Sequence, residues 1–194
     1  MKRILVFSML LFLSLLFFVG CDSSYPTVPD TFPDDGGMGS YDSQFISVIN
    51  SLDDPWKLNV WLDENVQYNA DDIVYTPYDF YIHQEGQCAD YSIFNCFVLH
   101  YHDYVVHNVQ VYFIPEPELS SSHAITVYET KAEDAAEYWF WKWDKYGYLS
   151  VNEFNPGGVG KDFNSIEDCV NHYMSKNSKY KYSHHVIHPW NHMY

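Results

Sequence analysis

The sequence predicts an α+β domain, and three observations predict it. Apolar residues recur with helical spacing between Gln44 and Glu64. An apolar run then opens at Gly86-Gln-Cys88 and continues through NCFVLHY, as a helix with a polar start would. From Tyr104 onward the segments become β-branched, aromatic and alternating. A helix carrying Cys88 followed by antiparallel strands is the order of an α+β fold.

The elements follow in chain order. Residues 1–20 read as a secretory signal: Met1 to Arg3 carry two positive charges, and Ile4 to Val19 is apolar except for Ser8 and Ser14. That run is shorter than the roughly 20 residues that span a bilayer. The sequence Phe18-Val19-Gly20-Cys21 resembles the lipobox of bacterial lipoproteins, which implies acylation of Cys21 as the mature N-terminus. Ordinary cleavage near Gly20 is the alternative. Either route places the mature protein outside the cytoplasm, and lipidation would anchor it to the cell membrane or the outer membrane.

Residues 21–41 read as a disordered tether, with three prolines, three glycines and no apolar periodicity. Its 20 residues after Cys21 reach roughly 65 Å when extended. The folded domain is expected over 42–194. Helices are expected at Gln44 to Leu52 and at Trp56 to Glu64, the second with Trp56, Val60 and Trp61 on one face. Asp53-Asp54 offers its N-cap, and Pro55 fits the first turn. Strands are expected at Tyr104 to Phe113, His123 to Glu129, Tyr138 to Asp144 and Gly147 to Asn152. In the second of these, His123, Ile125 and Val127 share a face. A last helix is expected over Asp162 to Met174.

Removing the signal leaves 174 of 194 residues, enough for one domain with a substantial core. The formal net charge of −16 falls to −18 with the loss of Lys2 and Arg3. That acidity argues against nucleic acid and against adhesion to anionic headgroups. Aromatic residues make up 19% of the chain, a level compatible with secreted enzymes and with glycan-binding modules.

The chain has four cysteines. With Cys21 acylated, the odd number that remains leaves at least one thiol unpaired. On one helix Cys88 and Cys96 would lie about 12 Å apart along the axis, beyond the roughly 7 Å that a disulfide bridges. Pairing of Cys96 with Cys169 stays open. Cys88 is then a packed thiol or a nucleophile.

Three stretches, taken in order, resemble the core of the transglutaminase-like cysteine-enzyme superfamily. They are Gly86-Gln-Cys88-Ala-Asp90-Tyr-Ser, Ser122-His123-Ala124-Ile-Thr-Val and Tyr148-Leu-Ser-Val-Asn152. Upstream, NVQYNADD and TPYDFYIHQEGQC add to the likeness, which covers roughly Trp56 to Met174. The resemblance implies a papain-like arrangement with a cysteine at a helix N-terminus and a histidine and an acid or amide on adjacent strands. It makes Cys88, His123 and Asn152 the expected catalytic residues, with no cofactor and no metal. The expected activity is cleavage or transfer of acyl groups at amide bonds through a thioester.

Chemistry gives each position a reason. A helix N-terminus favours the Cys88 thiolate, and the Cys88 backbone N–H would help to bind an oxyanion. His123 would pair with the thiolate and protonate the leaving amine. Asn152, with Asp144 as rival, would orient the ring. Gln84 and Gln87 both stand near as oxyanion side chains. Each residue has a plainer reading: a buried cysteine, a sheet histidine among 10 histidines, and, for Asp90, a first-turn acid that stabilises the helix.

Two further features complete the reading. Trp139, Trp141 and Trp143 would share one strand face, as core or as an aromatic platform. His184, His188 and His192 fall four residues apart, a spacing that aligns metal ligands on a helix. Pro189 interrupts such a helix, so a tail with incidental histidines is expected. The partners expected are a peptide or protein substrate of the cell envelope and the membrane through the lipid anchor. The alternative to an enzyme is a silent transglutaminase-like module that binds envelope peptide or glycan.

Overall fold

A computed structural model describes residues 41–70, 73–114, 122–130, 146–150 and 163–194. The signal, the tether up to Ser40, the predicted strand over Tyr138 to Asp144 and the three alternating tryptophans lie outside the described residues. Helices α1 (Ser43–Ser51), α2 (Pro55–Asn65) and α3 (Pro77–His83) come first, with short strands β1 (Gln67–Tyr68) and β2 (Glu85–Gly86) between and after them. Helix α4 (Cys88–Tyr101) follows. Strands β3 (Val106–Phe113), β4 (Ser122–Glu129) and β5 (Tyr146–Leu149), helix α5 (Ile166–Lys176) and strand β6 (Tyr182–His188) complete the order. This is a mixed architecture with a four-stranded antiparallel sheet in the order β5-β4-β3-β6.

Local chemistry explains the helix starts. Asp42 accepts hydrogen bonds from the Gln44 and Phe45 N–H groups at 2.8 Å each, capping α1. Asp54 does the same for Lys57 N–H at 2.8 Å, and Pro55 occupies the first turn of α2. The buried face of α2 is Leu58, Asn59 and Leu62, whereas Trp56 is exposed. Of the face that the sequence groups as Trp56, Val60 and Trp61, Trp56 is exposed and the other two are half-buried, while Pro55 of the first turn is buried.

Helix α4 is buried on every side from Ala89 to Leu99. Its apolar residues therefore need no amphipathic stripe. One side packs with Phe45, Ile49, Leu58, Leu62 and Phe80 of the preceding helices. The other side lies on the sheet, where Ser92 Oγ donates to Asn108 Oδ1 at 2.8 Å and pairs with Thr126 Oγ1 at 3.1 Å. Each fully buried Phe or Leu contributes about 1.5–3 kcal/mol.

The two faces of the sheet are distinct. Cross-strand partners share a face, and the register pairs Asn108 with Thr126 and Gln110 with Ala124 on the α4 side. Val109 pairs with Ile125, and Val111 with His123. Val109, Val111, Ile125 and Val127 form a second core with Cys169, Val170 and Tyr173 of α5. The sheet is thus covered by α4 on one face and by α5 on the other. Strand β6 was not expected from the sequence, which reads its histidine-rich segment as a tail.

Candidate active site around Cys88

Gly86 and Asp90 build the start of α4. A Cβ on Gly86 would stand 2.8 Å from Asp90 Cβ and 2.9 Å from Phe80 Cε2, so the chain closes there only with glycine. Asp90 is fully buried. Its carboxylate accepts from Gln87 N–H at 2.8 Å and from Tyr75 N–H at 2.6 Å. That ties the helix start to the segment before α3, and Asp90 is a structural anchor in agreement with its plainer reading.

Cys88 is the first residue of α4 and is half-buried. It lines a cavity of about 470 Å³ together with Gln87, Gln110, Ser122, His192 and Tyr194. Burial pushes its thiol up, and backbone hydrogen bonding from Ala124 and Ala89 opposes that shift without cancelling it. Asp90 adds to the upward push. Burial therefore favours the protonated thiol and works against the thiolate that a helix start favours.

His123 does not join Cys88. Its partner in register is Val111, on the α5 face of the sheet. Its ring stacks on Tyr173 of α5 with centroids 5.3 Å apart and planes 2° apart. Its Nε2 lies 2.9 Å from Ser150 Oγ. Burial lowers its pKa to about 4, so the ring is neutral. The expected Cys88–His123 pair is corrected on these grounds. The alternation of β4 turns Ala124 toward the cavity and His123 away from it.

Asn152 and Asp144, the rival residues for orienting His123, lie outside the described residues, as does Cys21. Among the described residues the hydroxyl of Ser150, just after β5, meets the ring. Gln87 lines the cavity, whereas Gln84 ends α3 in a left-handed conformation (φ 53°).

Cys96 and Cys169 are free, fully buried thiols, each pushed up to about 12 by burial. They belong to the cores on opposite faces of the sheet, so the open question of their pairing is answered by separation.

The residues that sequence reasoning missed come from the closing segment. His184 and His188 share the α4 face of β6, opposite Tyr112 and Asn108. After Pro189 the chain crosses to α4, where Trp190 stacks on His100 with centroids 3.8 Å apart. It then runs to the cavity at His192 and Tyr194. Among the described residues no group of three or more His, Cys, Asp or Glu is arranged to hold a metal. The signal in the sequence was Val186-Ile187 between histidines, a short β-compatible run.

No family model matches the chain, and no curated protein matches it by sequence.

Proposed function

We propose that the protein is an extracytoplasmic, lipid-anchored cysteine enzyme of transglutaminase-like kind that cleaves or transfers acyl groups at amide bonds through a thioester on Cys88. The observation that carries this reading is the placement of Cys88. It is the first residue of a buried helix, on the wall of a cavity. The N–H groups of a helix's first turn have no intrahelical acceptor and suit the oxyanion that forms beside such a residue. Gln87, Gln110 and Ser122 supply neutral polar groups for an amide substrate.

The test uses p-nitrophenyl acetate as an acyl donor, followed by intact mass and peptide mapping. One acetyl group on Cys88, lost in Cys88→Ala, is the expected result. Acetylation of lysines alone would overturn the reading.

A second reading is favoured by one observation, the separation of His123 from Cys88 across the sheet. It is a silent module that binds envelope peptide or glycan in the same cavity. Retention of the module on peptidoglycan or envelope peptides, unchanged by Cys88→Ala and without acetylation, would favour it.

A further inference from the structure

A thiol that rests protonated needs a proton acceptor before it can attack. His123 faces the other side of the sheet and cannot supply one. Among the described residues lining the Cys88 cavity, one carries an imidazole, and it is His192. Resting on the reading of Cys88 as a nucleophile, we propose that His192 of the closing segment is the general base and acid of this site.

The fold holds His192 from several sides. Its ring stacks on His188 with centroids 3.9 Å apart and planes 5° apart, and Tyr194 meets it edge-on at 5.4 Å. Its backbone N–H donates to Pro189 O at 3.1 Å. Its carbonyl accepts from Asn108 Nδ2 at 3.4 Å, and the Tyr194 hydroxyl donates to Asn108 Oδ1. Asn108 is fully buried and also receives Ser92 Oγ from α4. One amide thereby ties the closing segment, the sheet and the Cys88 helix together. Such fixing is what a base on the wall of this cavity needs.

Among the described residues, Asp90 in its own helix, Tyr68 of β1 and Tyr194 of the closing segment are the other titratable groups that interact electrostatically with Cys88. His188 faces His192. Burial holds Tyr194 well above the ordinary phenol range, so it is a neutral donor and not a base. Asp90 is committed to two backbone N–H groups. His192 is left as the proton acceptor on the cavity wall.

In the first half-reaction the Cys88 S–H proton passes to a ring nitrogen of His192 as sulfur bonds to the substrate carbonyl carbon. The tetrahedral adduct collapses, the C–N bond breaks, and the amine departs with the proton from the imidazolium. In the second half-reaction water or an acceptor amine attacks the thioester and gives its proton to His192. The C–S bond then breaks, and the sulfur takes that proton back.

Single-turnover acetylation of Cys88 by p-nitrophenyl acetate tests this in the full-length protein. His192→Ala and His192→Phe should slow acetylation at neutral pH by about 100-fold or more. Both should recover rate in alkaline solution, where the thiol ionises unaided. His192→Phe keeps a flat ring on His188, and unchanged protection of Cys96 and Cys169 from alkylation certifies the fold of either variant. His123→Ala should acetylate at the wild-type rate. Normal acetylation at neutral pH in both His192 variants would overturn the assignment while leaving Cys88 as nucleophile. Absence of acetylation in the wild type would overturn the reading of Cys88 itself, and this assignment with it.

Discussion

His123 lies flat against Tyr173, with planes 2° apart, on the face of the sheet opposite Cys88. The contact binds β4 to α5 and makes His123 a core residue. His123→Ala should therefore destabilise the fold by about 1–3 kcal/mol and leave Cys88 chemistry unchanged. Urea denaturation and Cys88 alkylation, measured on the same variant, separate the two effects.

Acid should act through the same residue. The pKa of His123 is depressed from 6.5 to about 4 in the fold, so the unfolded chain takes up the proton first as pH falls. The stability that its neutral form contributes is complete above the unfolded value. It is lost progressively as pH drops from 6.5 toward about 4. In His123→Phe, denaturation midpoints should fall less steeply across that window than in the wild type.

How much of this was legible in the sequence depends on which physical signal each element carries. The capped start of α2 was readable because Asp54 and Pro55 act locally. The start of α4 was readable for the same reason, in Gly86 and Asp90. The alternation of β4 was read correctly, and it put His123 with Ile125 and Val127. What alternation does not say is which face a given helix covers. Both faces of β4 are buried, one under α4 and one under α5, so periodicity alone left His123 free to be assigned to either side. Strand β6 escaped notice because its stability comes from pairing with β3, while its own residues are mostly polar and most of them exposed.

Gly86 should tolerate no side chain. In Gly86→Ala the new methyl meets Asp90 and Phe80 at less than contact distance, and overpacking of this kind costs about 1–3 kcal/mol. The strain falls on the residue pair that sets the start of α4. Thermal melting should show the loss, and Cys88 should label more like an unfolded thiol.

Asp90→Ala should be more damaging. It leaves the Tyr75 and Gln87 N–H groups without their acceptor, at about 1–3 kcal/mol for each buried donor left unpaired. Asp90→Asn keeps an acceptor oxygen and should recover part of the stability. Chemical denaturation of the two variants side by side checks this order.

Lipidation at Cys21 is expected from the charged start, the apolar run and the small residue before the cysteine. Intact mass of membrane-extracted protein should show acyl groups on a chain beginning at Cys21, and Cys21→Ala should release the domain. A mature chain with a free N-terminus elsewhere would contradict this.

The central claim is that the fold makes Cys88 a nucleophile despite a thiol that burial holds protonated. The most direct measurement compares its acetylation rate at neutral pH in the native protein with that of the same cysteine in an isolated GQCADYS peptide. The account predicts a faster native rate, because a fixed base and the N–H groups of the helix start outweigh the desolvation of the thiol. A native rate at or below that of the peptide would show a merely buried cysteine and contradict it.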